Sequence, residues 1–437
     1  MGKNAPSGRR WMQKTLTGMA LPAMLASGAA RAEDAAPSQL PAAVVAVAPA
    51  TPNPASAYTL GDCIRIGREQ QPGLVAQRAS LAAAQTASAS LNHLHVPSLI
   101  ARDLPIRRHQ ACLGITIAEA GLQQAEYDTI YAITRTYYGV LYAREQLKVA
   151  EDLSKSLKFY QDNVRELVKN GTNRQYTTNT LDKITLYLKL AEARQAEAAR
   201  GIDRATAALN EAMGLDPQTP TILAETTLPN PKTEVTRDQI VMLALARRGE
   251  LVQATTAREV VDLEADAQDK LLFRPTTHTF AAGADVHSRP VPQGFMNGEY
   301  RPGATSLEMP VMFAGSRSYR VERARDLGVR AGAVVDKTRN LITLEAEDAF
   351  FKYEEAVRKL PLVTEASTAG ARLSKTTRDD FTANSKATID DILTSEGLAA
   401  QAKATANETI YNLIVSLAGL QRVTGGGFVP VLITGSN

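Results

Sequence analysis

Little in this chain speaks for covalent chemistry. Among 437 residues there are two cysteines, one tryptophan and five histidines, and aromatic residues make up only 5%. No nucleophile–base set, glycine-rich phosphate loop or zinc-ligand spacing occurs, so neither an enzyme activity nor a cofactor is expected. Cys63 and Cys112 could pair in an exported protein, but a helix from Cys63 to about Ser90 would carry the chain roughly 40 Å away, so they read instead as small buried apolar residues. His93 and His95 could share one strand face, yet no cysteine or paired carboxylate joins them, and they read as loop residues. The formal net charge of +3 implies no nucleic-acid partner. The apolar run Leu16–Ala26 is too short to span a bilayer.

That run is instead the centre of an export signal. Arg9, Arg10 and Lys14 precede it, and Ala30-Arg31-Ala32 supplies a small-x-small cleavage site before Glu33. Gly8-Arg9-Arg10-Trp11-Met12-Gln13-Lys14 also suits a twin-arginine signal, so both export routes stay open. No cysteine follows the cleavage site directly, and no lipid anchor is expected there. Residues 1–32 thus read as a signal peptide and 33–57 as a disordered linker rich in Ala and Pro.

Beyond the linker one unit occurs twice. Tyr137, Tyr138, Ala143 and Leu147 recur at the same spacing as Phe350, Phe351, Ala356 and Leu360, about 213 residues later. Gln71-Pro72-Gly73-Leu74-Val75 recurs as Arg248-Gly249-Glu250-Leu251-Val252, about 177 residues later. The second copy therefore carries roughly 36 extra residues between these landmarks. The copies are predicted at 58–228 and 229–425, with a tail over 426–437.

Scarce aromatics and abundant alanine favour long, closely packed helices. From Ala111 to Leu167 there is no proline, and Ile133, Tyr137, Val140, Leu147, Ala150, Leu153, Leu157, Tyr160, Val164 and Leu167 fall near heptad spacing. Asn170-Gly171-Thr172-Asn173 supplies a turn, and the pattern resumes from Leu181 to Leu209. A short turn makes the two helices antiparallel neighbours. The second copy repeats this over Ser318–Phe381, with a kink expected at Pro361, and over Ile389–Val423. Each hairpin has a leading helix, about Leu60–Ser90 and Arg237–Leu272. The extra segment reads differently: strands near Arg274–Ala284 and Thr305–Phe313 flank a Pro- and Gly-rich loop, a β-hairpin at about 274–313. Two strands alone are marginal in water, so this hairpin should pair with others.

Four segments give the chain a resemblance to the TolC-type outer-membrane efflux channel family. Gln71-Pro72-Gly73-Leu74 and Arg248-Gly249-Glu250-Leu251 resemble its Asn-Pro-x-Leu and Arg-Pro-x-Leu starts. Leu307-Glu308-Met309-Pro310-Val311-Met312-Phe313-Ala314-Gly315-Ser316-Arg317 resembles its strand-ending Leu-Pro-Leu-Phe-x-Gly-Gly-x-Arg, and Thr388-Ile389-Asp390-Asp391-Ile392-Leu393 its tip segment Thr-x-x-Asp-Val-Leu. The resemblance spans about residues 58–425. It implies a mainly α fold: long antiparallel hairpins forming a coiled-coil α-barrel, topped by a β-barrel to which every chain contributes. It further implies a homotrimer in the outer membrane with a long periplasmic extension. The duct would conduct small molecules or protein passively for efflux or type I secretion, with a periplasmic adaptor and an inner-membrane pump as partners. A periplasmic scaffold without its own pore is the alternative.

The resemblance also places the tips. Asn170, Gly171 and Thr172, with Ser385, Lys386 and Thr388, would meet the adaptor, and Asp390 and Asp391 would form an acidic gate ring. Asp391 matches the family's first tip aspartate, but Thr394 stands where a second is often found. The other reading of this pair is a solvated helix start, where Asp complements the dipole. Asp379 and Asp380 read as surface charge, Arg107-Arg108 as a solvated helix start rather than a lipid-headgroup site, and Tyr131, Tyr137, Tyr138 and Tyr142 as packing residues. The first copy lacks the equivalent of residues 274–308. Three chains with one hairpin each give about six strands, below the roughly eight of small membrane barrels.

Overall fold

The computed structural model describes residues 57–97, 101–170, 176–271, 276–278, 291–292, 299–300, 312–382 and 387–430. The export signal and most of the linker lie outside them. All of the described residues belong to one compact unit, within 52–437.

Among the described residues, eight helices repeat one plan. In the first copy they are α1 (Leu60–Gln70), α2 (Pro72–His93), α3 (Leu104–Asn170) and α4 (Thr178–Met213). In the second they are α5 (Arg237–Arg247), α6 (Gly249–Lys270), α7 (Arg317–Thr382) and α8 (Ile389–Val423). Their lengths match in pairs: 11 and 11, 22 and 22, 67 and 66, 36 and 35 residues. The starts match as well. Thr59, Thr177, Thr236 and Thr388 each close a capping box, accepting from the amide three residues on. Such caps satisfy amides that the first helical turn leaves unpaired.

Each leading helix is broken where the sequence predicts one continuous helix. Gln71 and Arg248 both leave the helical region, with ψ of 118° and 124°. In the first copy Pro72 disfavours helical backbone in the residue before it. The second copy has Gly249 there, and the break is held by the buried Arg248 guanidinium, whose Nη2 donates to Glu345 Oε2 at 2.7 Å. Gly249 also permits a close crossing: a Cβ on it would overlap the Ala120 carbonyl oxygen of α3.

The expected stripe on α3 is the core. Ile133, Tyr137, Val140, Ala150, Leu157, Tyr160 and Val164 are buried, while Leu147, Leu153 and Leu167 are half-buried. Helix α3 begins at Leu104 rather than near Ala111 and would run about 100 Å. It packs on α4, on α8 and on α6, while α7 packs on α8, α6 and α5. Tyr137 Oη donates to the Tyr58 carbonyl at 3.2 Å, and Tyr353 Oη donates to that of Thr233, so the segment leading into each copy is tied to its long helix. Pro361 lies within α7.

Between α6 and α7, β1 (Thr276–His278) pairs antiparallel with β4 (Met312–Ala314), and β2 (Val291–Pro292) with β3 (Glu299–Tyr300). The second pair is nested inside the first in sequence. The remainder of the expected hairpin lies outside the described residues. In the first copy, residues 94–103 alone join α2 to α3. No helix among the described residues is long and apolar enough to cross a membrane.

Candidate functional site

At one end of the hairpins lies an apolar cluster capped by charges. Leu157, Tyr160 and Val164 of α3 meet Ile184, Leu188 and Ala191 of α4 and Ile389, Ile392 and Leu393 of α8. Phe381 closes it, edge-on to Tyr160 at 5.7 Å. Both expected gate aspartates sit on its rim, on the first turn of α8, and both are exposed. Asp390 faces α4, where Lys183 Nζ donates to its Oδ2 at 2.9 Å. Asp391 Oδ2 accepts from the Thr388 amide at 2.8 Å and the Thr388 hydroxyl at 2.7 Å. The first of these bonds, then the second, holds its carboxyl below the usual range. Of the docking residues, Asn170 ends α3 and Thr388 caps α8; both are exposed. Gly171, Thr172, Ser385 and Lys386 lie outside the described residues. Behind the tip, the buried Glu396 carboxylate accepts from Arg378 Nε at 2.7 Å and from the Ser374 hydroxyl at 2.9 Å, joining α7 to α8.

At the opposite end, beside the insertion, a buried polar network spans three helices. Arg107 is buried, not solvated as its position in the sequence suggests: it is 4% exposed and its guanidinium grips Glu264, with Nη2 donating to Oε1 at 2.9 Å. Gln110 Nε2 donates to Glu264 Oε2 at 3.0 Å, and Gln268 Nε2 to Glu264 Oε1 at 2.6 Å. From α7, Arg320 Nε donates to Gln268 Oε1 at 3.0 Å. The same guanidinium donates to the Leu271 carbonyl at 2.7 Å and the Gly315 carbonyl at 2.8 Å, tying the two stems of the insertion together. Arg108 donates to the α2-terminal carbonyls of Leu91 and Leu94 at 3.0 and 2.9 Å. Orphan carbonyls at helix ends need such partners.

Arg107 and Arg320 stand at the same repeat offset as Tyr137 and Phe350. That relation was the signal available in the sequence for this network. Arg248 is a third buried cation. Burial pushes its pKa down, but the Glu250 and Glu345 carboxylates outweigh this, and the net direction is up.

The remaining candidates are structural. Tyr137 and Tyr138 are buried, Tyr142 stacks on Tyr411 at 5.0 Å, and Tyr131 lies under the Arg422 guanidinium at 4.5 Å. Asp379 and Asp380 are exposed. His95 Nδ1 lies 2.7 Å from the His93 carbonyl. Cys63 is buried, but Cys112 is exposed on α3 and both thiols are free, which corrects the expectation for Cys112. A cavity of about 340 Å³ between α3, α7 and α8 is lined by Tyr131, Lys352, Thr409 and Ser416 among others. The Thr409 and Ser416 hydroxyls donate to the carbonyls of Thr405 and Leu413, and Lys352 pairs with Asp348 at 2.6 Å. Among the described residues no cluster of His, Cys, Asp or Glu could hold a metal ion.

No protein-family model and no curated protein sequence matches the chain. Solved structures do. The outer-membrane channel OprN superposes with a TM-score of 0.67 at 14% identity, over 84% of this chain and 90% of that one. The open state of the MtrE outer-membrane channel of Neisseria gonorrhoeae gives 0.63 at 15% identity, over 84% and 89%. The outer-membrane protein VceC of Vibrio cholerae gives 0.62 at 14% identity, over 85% and 97%.

Proposed function

We propose that this chain, which has the fold of the TolC-like outer-membrane channels, is a subunit of an exit duct for efflux or type I secretion. Three copies would close a helical tunnel that reaches from the outer membrane into the periplasm. Conduction would be passive, with export driven by an inner-membrane pump through a periplasmic adaptor at the hairpin tips. The observation that carries this is the pairing of a duplicated hairpin plan with apolar residues left outside. Leu186, Tyr187 and Leu190 on α4, and Val329, Leu362 and Leu373 on α7, are exposed in the single chain. Leu186, Tyr187 and Leu190 fall within little more than one turn of α4, an apolar cluster of the kind that marks an interface.

The insertion between α6 and α7 is the part we assign to the membrane, as its strands can close only by pairing with those of other chains. At the tip, the Asp390 carboxylates would line the entrance and favour cations. Asp391, whose carboxylate is taken up by the cap, would fix the turn that presents them. A second reading, a periplasmic scaffold without a pore, is favoured by the ten-residue join between α2 and α3, which leaves one inserted β segment per chain.

Planar-bilayer recording on protein extracted from the outer-membrane fraction separates the two. Discrete conductance steps are expected, with cation preference falling in Asp390→Asn. A protein found wholly in the soluble periplasmic fraction, silent in bilayers, would refute the duct.

A further inference from the structure

At the end that carries the insertion, positive charge and apolar groups are left over once the internal bonds are counted. The end of α2, the start of α3 and the two stems of the insertion (91–110, 264–271 and 315–326) hold eight arginines and lysines against six carboxylates. Three of those carboxylates have partners here: Glu264 and Asp103 face Arg107, and Asp269 faces Arg317 at 2.7 Å. Asp266, Glu322 and Asp326 are exposed on α6 and α7, but so are Lys270, Arg323 and Arg325.

The excess lies on the side of the first copy. Helix α2 has no acidic residue, and α3 has none before Glu119. His109 faces Glu259 of α6 at 3.8 Å. Arg107 is taken by Glu264, and Arg108 by the carbonyls of Leu91 and Leu94. Arg102 in the join is exposed and has no ion pair among the described residues, and His93 and His95 are exposed beside it in sequence.

Apolar side chains accompany these cations. Leu94 is 46% exposed and Tyr319, at the start of α7, 70%. Both adjoin the buried network, since Arg108 holds the Leu94 carbonyl and Arg320 follows Tyr319. A groove of about 430 Å³ runs between α2 and α3, lined by Leu94, Val96, Pro97, Leu104 and Pro105 among others. Apolar groups mixed with unneutralised cations suit the boundary between headgroups and acyl chains, and tyrosine concentrates at that level.

We infer that this end rests on a membrane surface, with anionic phospholipid headgroups bound at Arg102 and with Leu94 and Tyr319 entering the headgroup layer. The inference rests on the membrane placement of the insertion proposed above. The ten-residue join is about the length of one membrane strand, so it cannot cross and return. It is a seat on the surface where the second copy has its insertion.

Depth-dependent quenching tests this on the full chain in phospholipid vesicles. An environment-sensitive fluorophore is attached at Leu94→Cys, at Tyr319→Cys or, as a control, at Arg200→Cys on α4, each in a Cys112→Ser background. Lipids spin-labelled just below the headgroup should quench positions 94 and 319, lipids labelled at the acyl terminus neither, and position 200 should respond to no lipid. At position 94, shallow-labelled phosphatidylglycerol should quench more than phosphatidylcholine. Arg102→Gln should cut that preference about fivefold, as high salt also should, while Arg102→Lys keeps it. Retention of the protein through an alkaline carbonate wash reports separately on insertion into the membrane. With the protein retained, either position unquenched or reached by the deep label, or a preference unchanged in Arg102→Gln, overturns this inference alone. A protein removed by the wash overturns the membrane placement of the insertion and this inference with it.

Discussion

Replacing Glu264 by glutamine should be among the costliest single changes in the helical layers. Glu264 is 1% exposed and takes bonds from Arg107, Gln110 and Gln268. The substituted amide would keep the volume but leave the Arg107 guanidinium buried without its main counter-charge. Breaking a buried ion pair from one side costs about 3–5 kcal/mol. Asp103, whose Oδ2 lies 3.4 Å from Arg107 Nε, retains part of the compensation. The cost therefore falls toward the lower limit, about 3 kcal/mol, or roughly 150-fold in the folding constant. Arg107→Met alone should cost a similar amount by stranding the carboxylate. The double change Arg107→Met with Glu264→Leu should recover most of either loss, since a buried pair is worth little over well-packed apolar groups. Urea midpoints read by circular dichroism, at unchanged slope, give all three values. Single variants within about 1 kcal/mol of the parent, or a double variant losing the sum of both, would refute the argument.

Gly249→Ala should destabilise by about 1–3 kcal/mol, because the new Cβ meets backbone rather than a yielding side chain. Gly73→Ala, whose nearest neighbour would be the Gln71 Oε1 atom at 3.6 Å, should cost nothing in the same melting assay. Thiol titration of the native protein should find Cys112 and miss Cys63, whose pKa burial pushes up to about 12; equal labelling of both would contradict the packing of α1. The Asp391 carboxyl is held low by its bonds to Thr388, and that of Asp62 by its bonds to Thr59. A depressed folded pKa means stability that is present above the unfolded value of about 3.9 and lost as pH falls through the folded one. The loss caused by Asp391→Asn at pH 7 should therefore shrink below about pH 4 in acid melts, and a pH-independent loss would argue against the cap.

The helical plan was legible because its causes are local. The apolar stripes over Ala111–Leu167 and Leu181–Leu209 repeat within a few turns of helix, whereas the four threonine caps emerged only with the structure. The breaks in both leading helices were missed: Pro72 carries a local signal for the first, whereas the second is held by Arg248 reaching Glu345 on α7. At the tip, the aspartates were found but not their partners. Thr388 is three residues from Asp391, while Lys183 is far from Asp390 in sequence and adjacent only through the packing of α4 near α8.

By itself the sequence determined a duplicated, helix-rich chain, unequal in one insertion, since periodicity and capping act over a few residues at a time. Which charges are buried was decided by tertiary structure alone. Arg107 and Arg108 are neighbours of like chemistry, yet helix apposition turns one onto Glu264 inside the protein and leaves the other at the end of α2. Consecutive residues on a helix point about 100° apart, and only the packed neighbours fix which of the two directions leads inside.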